Sequence, residues 1–283
     1  MKSMKTAFKT PEGKEAIHRF TSGLLKHWMA PNTMTFADTR FGQAHVIACG
    51  PTDGPAVVLL HGSAMSSVMW MGDAPVLTRT HRVYAVDLPG EPGMSDERQL
   101  PFAGVDFAQW LSDVFNALGL KSASLVGISL GAWVALKFAA EYPNKVDKLV
   151  LLSPAGIGAQ KVSFLITSTL FSLMGEGMKR RLLPKVNGSQ ELPEVVMQYQ
   201  RLIDEHFNYR KELLPLFNDN ELKRLSMPVL AMAGGRDAMF HTGHTAKRVA
   251  KLMPHADLRV LPEAGHVLIG MAEEISRFLN EGG

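Results

Sequence analysis

Short apolar runs bounded by Gly, Pro, Asp and Asn alternate along most of the chain with segments whose apolar residues recur at helical spacing. The runs at 34–39, 44–49, 56–60, 83–86, 123–128, 149–153, 229–233 and 258–261 read as eight strands. The inner runs are almost wholly apolar, as strands are when both faces of a sheet are covered. That pattern predicts an α/β fold, with a mostly parallel sheet between helical layers and the first two strands antiparallel at one edge.

Between the strands, Phe107, Trp110, Leu111, Val114, Phe115 and Leu118 share one helical face, which predicts a helix lying on the sheet. The stretch 130–140 is apolar nearly all round and predicts a helix buried at the centre. Two further helical segments are expected at 12–30 and near 271–279. From 155 to 226 the strand pattern stops and helix-forming sequence takes over, between Ser153-Pro154 and Met227-Pro228. The expected organisation is a core of residues 1–154 and 227–283 with a helical cap inserted at 155–226. Within the cap, 162–174 is uncharged and rich in Phe, Leu and Ile, and is too short to span a bilayer. It reads as a cap helix packed on the core.

The sharpest chemical signal lies where the fifth strand meets the central helix. Gly127-Ile128-Ser129-Leu130-Gly131 spells G-x-S-x-G at a strand-to-helix junction, the setting in which that motif is a nucleophile elbow. The serine needs a strained turn, and residues without side chains on either side let strand and helix approach closely. Leu130 N–H then opens the helix, where unpaired amides and the helix dipole favour a developing oxyanion.

A serine nucleophile needs a base, an orienting acid and a second oxyanion donor. Asp237 follows the strand 229–233 through Gly234-Gly235-Arg236, and His266 follows the strand 258–261 through Pro262-Glu263-Ala264-Gly265. Their order after the serine, acid then histidine, is the one this architecture requires. Glu263 is a nearby rival carboxylate, expected to face solvent. Upstream, 57–60 ends in His61-Gly62-Ser63, a glycine loop able to aim Ser63 N–H at the same cleft, with His61 supporting it by hydrogen bonding. His241 and His244 have i, i+3 spacing, but no third ligand completes a zinc pattern, and they read as loop residues.

Together these residues resemble the α/β-hydrolase superfamily. A closer likeness lies in Thr39 to Pro51, Leu59-Leu60-His61-Gly62, Ser66-Ser67-Val68-Met69-Trp70 and the spacing Asp87-x-x-Gly90-x-x-x-x-Ser95, which are similar to the Bacillus-type carboxylesterase NP group. The resemblance implies an α/β-hydrolase fold, ester hydrolysis without a cofactor, and triad roles for Ser129, Asp237 and His266. Relatives carry Glu at the position of Asp237, a chemically mild difference. The cap matches poorly, so acyl preference does not follow from the likeness.

Composition narrows the picture further. The chain has 283 residues with 30 basic and 27 acidic side chains and a net charge of +3, too balanced to suggest a nucleic-acid partner. Its one cysteine, Cys49, excludes an intrachain disulfide and reads as a small buried residue. Residues 179–181 are basic and read as a solvated helix face. No run is long and apolar enough for a membrane span, and the first residues lack the apolar core of a signal peptide, which makes the cytoplasm the expected compartment.

The expected activity is a serine hydrolase cleaving a small-molecule ester with an apolar acyl or alcohol part, requiring no metal. The alternatives are another reaction on the same triad, such as carbon–carbon bond hydrolysis, perhydrolysis or amide cleavage, and a slow-turnover ligand sensor whose cap meets a partner protein.

Overall fold

The computed structural model describes residues 6–161, 194–210 and 212–281. The segments 162–174 and 179–181 fall outside these. The strands are β1 (Asn32–Thr39), β2 (Gly42–Cys49), β3 (Ala56–Leu60), β4 (Arg82–Val86), β5 (Ala123–Ile128), β6 (Val146–Leu152), β7 (Val229–Gly234) and β8 (Asp257–Leu261). The described α-helices are α1 (Pro11–Leu25), α2 (Ala74–Leu77), α3 (Asp106–Ala117), α4 (Leu130–Glu141), α5 (Glu194–His206), α6 (Asp219–Lys223), α7 (Thr242–Leu252) and α8 (Ala272–Asn280).

All eight strands form one sheet in the order β1-β2-β4-β3-β5-β6-β7-β8. β2 pairs antiparallel with β1 and with β4, and every other pairing is parallel. The expected α/β-hydrolase architecture is therefore the observed one.

The apolar runs explain how two cores are built. Successive side chains of a strand point to opposite faces. Val58 and Leu60 of β3, Leu125 of β5, Leu149 and Leu151 of β6, and Val229 and Ala231 of β7 join one buried cluster with α3 and α4. Their neighbours Val57, Leu59, Val126, Val150, Leu152, Leu230 and Met232 join the other, with α2 and α8. α4 sits at the centre of the first cluster, buried from Leu130 through Leu136 and again from Phe138 to Ala140.

Several boundaries differ from the sequence pattern for local reasons. α1 ends at Leu25 rather than near residue 30. Pro31 disfavours helix at the residue before it, and Trp28 and Ala30 are buried against the sheet instead. β6 begins three residues early, because Val146 pairs with Ala123 before a register shift restores the ladder at Leu149. His244 lies within α7 and His241 caps it, so these are not loop residues; buried Val249 and Leu252 carry the helical period.

The region 155–226 divides in how it packs. Phe217, Leu222 and Leu225, around α6, belong to the main core cluster. Tyr199 and Ile203 of α5, with Phe207, instead cluster with Ala7, Phe8 and Ile17 from the N-terminal segment. Ala64 and Met65 of the loop after β3 pack against that cluster.

Candidate active site

Parallel strands deliver their following loops to one rim, where open α/β sheets bind ligands. Ser129 follows β5, Asp237 follows β7, His266 follows β8, and His61-Gly62-Ser63 follows β3.

Ser129 sits at the junction of β5 and α4 with φ 53 and ψ −108, a positive φ on a residue with a side chain. Such a conformation costs on the order of 1–3 kcal/mol and persists where the surroundings over-determine it. Here they do. Ser129 N–H donates to Leu152 O at 2.9 Å, and Ser129 O accepts from Trp133 N–H at 3.0 Å. A Cβ at Gly127 would lie 2.5 Å from the Gly131 backbone, and one at Gly131 would lie 2.1 Å from Leu60 O. Both glycines are needed for β5, α4 and β3 to converge behind the serine.

The loops after β7 and β8 are drawn together in a similar way. A Cβ at Gly234 would fall 2.0 Å from Gly265 O, while Arg236 N–H donates to Ala264 O at 2.9 Å. This brings the Asp237 and His266 side chains into contact, with His266 Nδ1–H donating to Asp237 Oδ2 at 2.9 Å. Asp237 Oδ1 accepts from Met239 N–H at 2.7 Å and Phe240 N–H at 3.0 Å. Burial opposes the Asp237 charge, but the hydrogen bond and charge of His266, with those two amides, outweigh it and hold the carboxyl below its ordinary value. With Nδ1 as the donor, Nε2 is the nitrogen left to take up a proton.

His266 O accepts from Ser153 Oγ at 2.6 Å, which ties the histidine loop to the end of β6. The Phe240 ring, buried in the main core, lies 5.3 Å from the imidazole and packs against it. No hydrogen bond joins Ser129 Oγ to His266 among the described residues. Such contacts are often long in free enzymes and tighten when substrate binds. Glu263 is exposed and paired with Arg236, while the imidazole Nδ1 is taken by Asp237.

The loop after β3 is fixed from beneath. Leu88 N–H donates to His61 Nε2 at 2.8 Å, so His61 carries its proton on Nδ1, which donates to Gly62 O at 2.8 Å. Gly62 O and Ser63 N–H belong to the same peptide plane, so this bond sets the direction of Ser63 N–H. Burial keeps His61 neutral by pushing its pKa down. Sequence reasoning anticipated this support.

Asp87, reached in the sequence only as part of a spacing, is a buried hub. It accepts from Ser67 N–H at 2.6 Å, Met94 N–H at 2.8 Å and His45 Nδ1–H at 2.9 Å. Glu91 and Arg210, missed altogether, form a buried ion pair beside the same loop. Among the described residues no cluster of His, Cys, Asp and Glu suits a metal ion, and no helix is long and apolar enough to cross a membrane. Cys49 is fully buried in β2, as its pattern implied.

A sheet of this order with these loops at one rim defines a class, and the sequence comparison agrees: residues 57–278 match the model of the alpha/beta hydrolase family, to which the chain belongs. Among its relatives, carboxylesterase YbfK of Bacillus subtilis is 32% identical over 254 residues, which span 86% of this chain and 85% of that protein. A second B. subtilis protein, described as an uncharacterized carboxylesterase, nap, is 30% identical over 268 residues, covering 90% of this chain and 89% of its own. The crystal structure of naproxen esterase (carboxylesterase NP) from B. subtilis superposes with a TM-score of 0.84 at 28% identity, over 96% of this chain and all of that one. The likeness to the carboxylesterase NP group is thus borne out in both sequence and structure.

Proposed function

We propose that this chain is a carboxylic ester hydrolase that works through an acyl-enzyme on Ser129. The observation that carries the reading is the pairing of a strained serine at a strand-to-helix elbow with a buried Asp237–His266 pair on the same rim. The carboxylesterase relatives support ester chemistry in particular.

In this reading His266 Nε2 takes the Ser129 hydroxyl proton as Oγ attacks the ester carbonyl. The carbonyl oxygen becomes an oxyanion facing Ser63 N–H and Leu130 N–H. His266 then gives its proton to the departing alkoxide, leaving an acyl-serine and a free alcohol. Water, deprotonated by the same nitrogen, attacks the acyl carbon and releases the acid. Asp237 keeps the proton on Nδ1 and stabilises the imidazolium between these steps. Neither a metal nor an organic cofactor enters any step. The substrate in this reading is a small-molecule ester with an apolar acyl or alcohol part, in keeping with the carboxylesterase relatives and the apolar packing of Phe240 on the imidazole.

The test is Ser129→Ala assayed on p-nitrophenyl esters of graded acyl length. Hydrolysis should fall by at least ~10⁴-fold with the fold intact. Persistence of wild-type turnover in the folded variant would refute the assignment. Serine labelling without turnover on any ester in the wild type would favour the sensor reading instead.

A further inference from the structure

Two side chains the mechanism does not use are among the most buried charges in the molecule. Glu91 lies in the loop after β4 and Arg210 just beyond α5, 119 residues apart in sequence, with the guanidinium Nε donating to Glu91 Oε1 at 3.2 Å. Their side chains are 0% and 7% exposed. A buried ion pair is rarely worth its desolvation as a source of stability alone, so what else it touches matters.

Glu91 touches the oxyanion loop. Its Oε2 accepts from Ala64 N–H at 2.7 Å, one residue after Ser63. Ala64 has φ 58, a left-handed conformation disfavoured for a residue with a Cβ and kept only where neighbours enforce it. The carboxylate bond is such an enforcement. His61 fixes the peptide plane before Ser63 and Glu91 the one after it.

Arg210 in turn is clamped. It donates to Leu100 O at 2.7 Å and Pro89 O at 3.4 Å, and its guanidinium lies 4.7 Å from the Phe102 ring centre and 5.6 Å from that of Phe107. The Phe102 and Phe107 rings both pack against Trp133, one turn after Ser129 on α4. Burial pushes the Glu91 carboxyl up to about 7 against the pull of Arg210, the Ala64 amide and the Ser63 hydroxyl. Arg210 thus offsets part of what burial costs the Glu91 charge.

We propose that Glu91 is a positioning residue for the oxyanion donor Ser63 N–H, and that Arg210 locks it in place, linking the seating of the segment behind α5 to the readiness of the site. The proposal rests on the serine-esterase reading above. It makes Ala64 the relay: Glu91 holds Ala64 N–H, Ala64 holds the turn, and the turn aims Ser63 N–H.

The experiment compares the wild type with Glu91→Gln, Arg210→Lys and the double variant Glu91→Met, Arg210→Met. The double variant replaces the pair with apolar groups of similar volume, an exchange that often leaves stability unchanged or improved. Turnover of p-nitrophenyl butyrate is measured beside inhibition by an alkyl trifluoromethyl ketone. Attack by Ser129 Oγ turns the ketone oxygen into an alkoxide at the oxyanion position, with the serine proton passing to His266.

In the double variant kcat should fall on the order of 10²-fold, the scale of losing one oxyanion donor, while KM stays within about 3-fold. Ketone affinity should weaken by the same factor as kcat/KM. Glu91→Gln retains an acceptor for Ala64 N–H and Arg210→Lys retains a cation, so both should lose less. Should the double variant not fold, the same parallel between ketone affinity and kcat/KM is read from these two. A folded double variant with wild-type kcat, or a kcat loss without matching ketone weakening, would overturn the proposal. Ser129→Ala runs alongside: if it retains turnover the esterase reading falls, whereas an inactive Ser129→Ala beside fully active Glu91 and Arg210 variants removes the positioning role alone.

Discussion

Among the described residues, two buried histidine–aspartate pairs share the same hydrogen-bond distance in different surroundings. His266 and Asp237 meet at 2.9 Å, and so do His45 and Asp87. In both, the aspartate accepts two backbone amides besides the imidazole. His45, however, is held within β2, where its N–H donates to Ser95 Oγ at 2.9 Å and Ser95 Oγ donates to Asp87 O at 2.6 Å. That pair closes on itself under the loop carrying Ser67. The His266 pair lies on the rim that carries Ser129. A buried His–Asp contact is thus no marker of catalysis by its form; what distinguishes the two is the strand end from which each is presented.

The comparison breaks most sharply under conservative substitution. Asp237→Asn should lower kcat by roughly 10⁴-fold, because an amide favours the wrong imidazole tautomer, with little change in thermal unfolding. Asp237→Glu should retain more activity, because it keeps a carboxylate acceptor for the imidazole Nδ1–H. Asp87→Ala should show the opposite balance. Leaving His45 and the Ser67 and Met94 amides without their acceptor costs about 3–5 kcal/mol of stability, read as a lower denaturant midpoint, with a smaller loss of kcat than Asp237→Asn. Equal kinetic losses from the two changes would erase the distinction.

Acid sharpens the same contrast. Burial opposes the Asp87 charge, but the His45 hydrogen bond, the neighbouring imidazoles and the Ser67 amide hold its carboxyl well below the ordinary value. A depressed carboxyl binds fewer protons folded than unfolded, so its stabilisation is complete above the unfolded value of about 4 and is lost as pH falls through the folded one. The stability difference between the wild type and Asp87→Ala should therefore be constant at neutral pH and shrink below about pH 4. A difference that grew in acid would reverse the sign of the argument. The smallest effect belongs to Glu263→Gln, whose exposed partnership with Arg236 predicts turnover within about 2-fold of wild type.

The sheet was legible because buried strands announce themselves locally: the predicted run at 56–60 and the one at 123–128 match β3 and β5 residue for residue. The elbow was legible for the same reason, since Gly127, Ser129 and Gly131 act within one turn. Contacts between distant segments left no such trace. Glu91 and Arg210 are a charge in a glycine-rich loop and a charge after a helix, and nothing in either neighbourhood says that the two are buried together. His45 looked like any polar residue in an edge strand until β4 brought Asp87 beside it. Around α6, Phe217 and Leu222 entered the main core, a packing that helical period near the edge of an insertion does not reveal.

The central claim is that Ser129 is the nucleophile, and covalent labelling meets it most directly. Incubation with an alkyl fluorophosphonate, followed by proteolysis and mass spectrometry, should yield one adduct per chain on Ser129, with activity lost in proportion to labelling. An adduct on another residue, or full ester turnover in chains whose Ser129 is labelled, would contradict it.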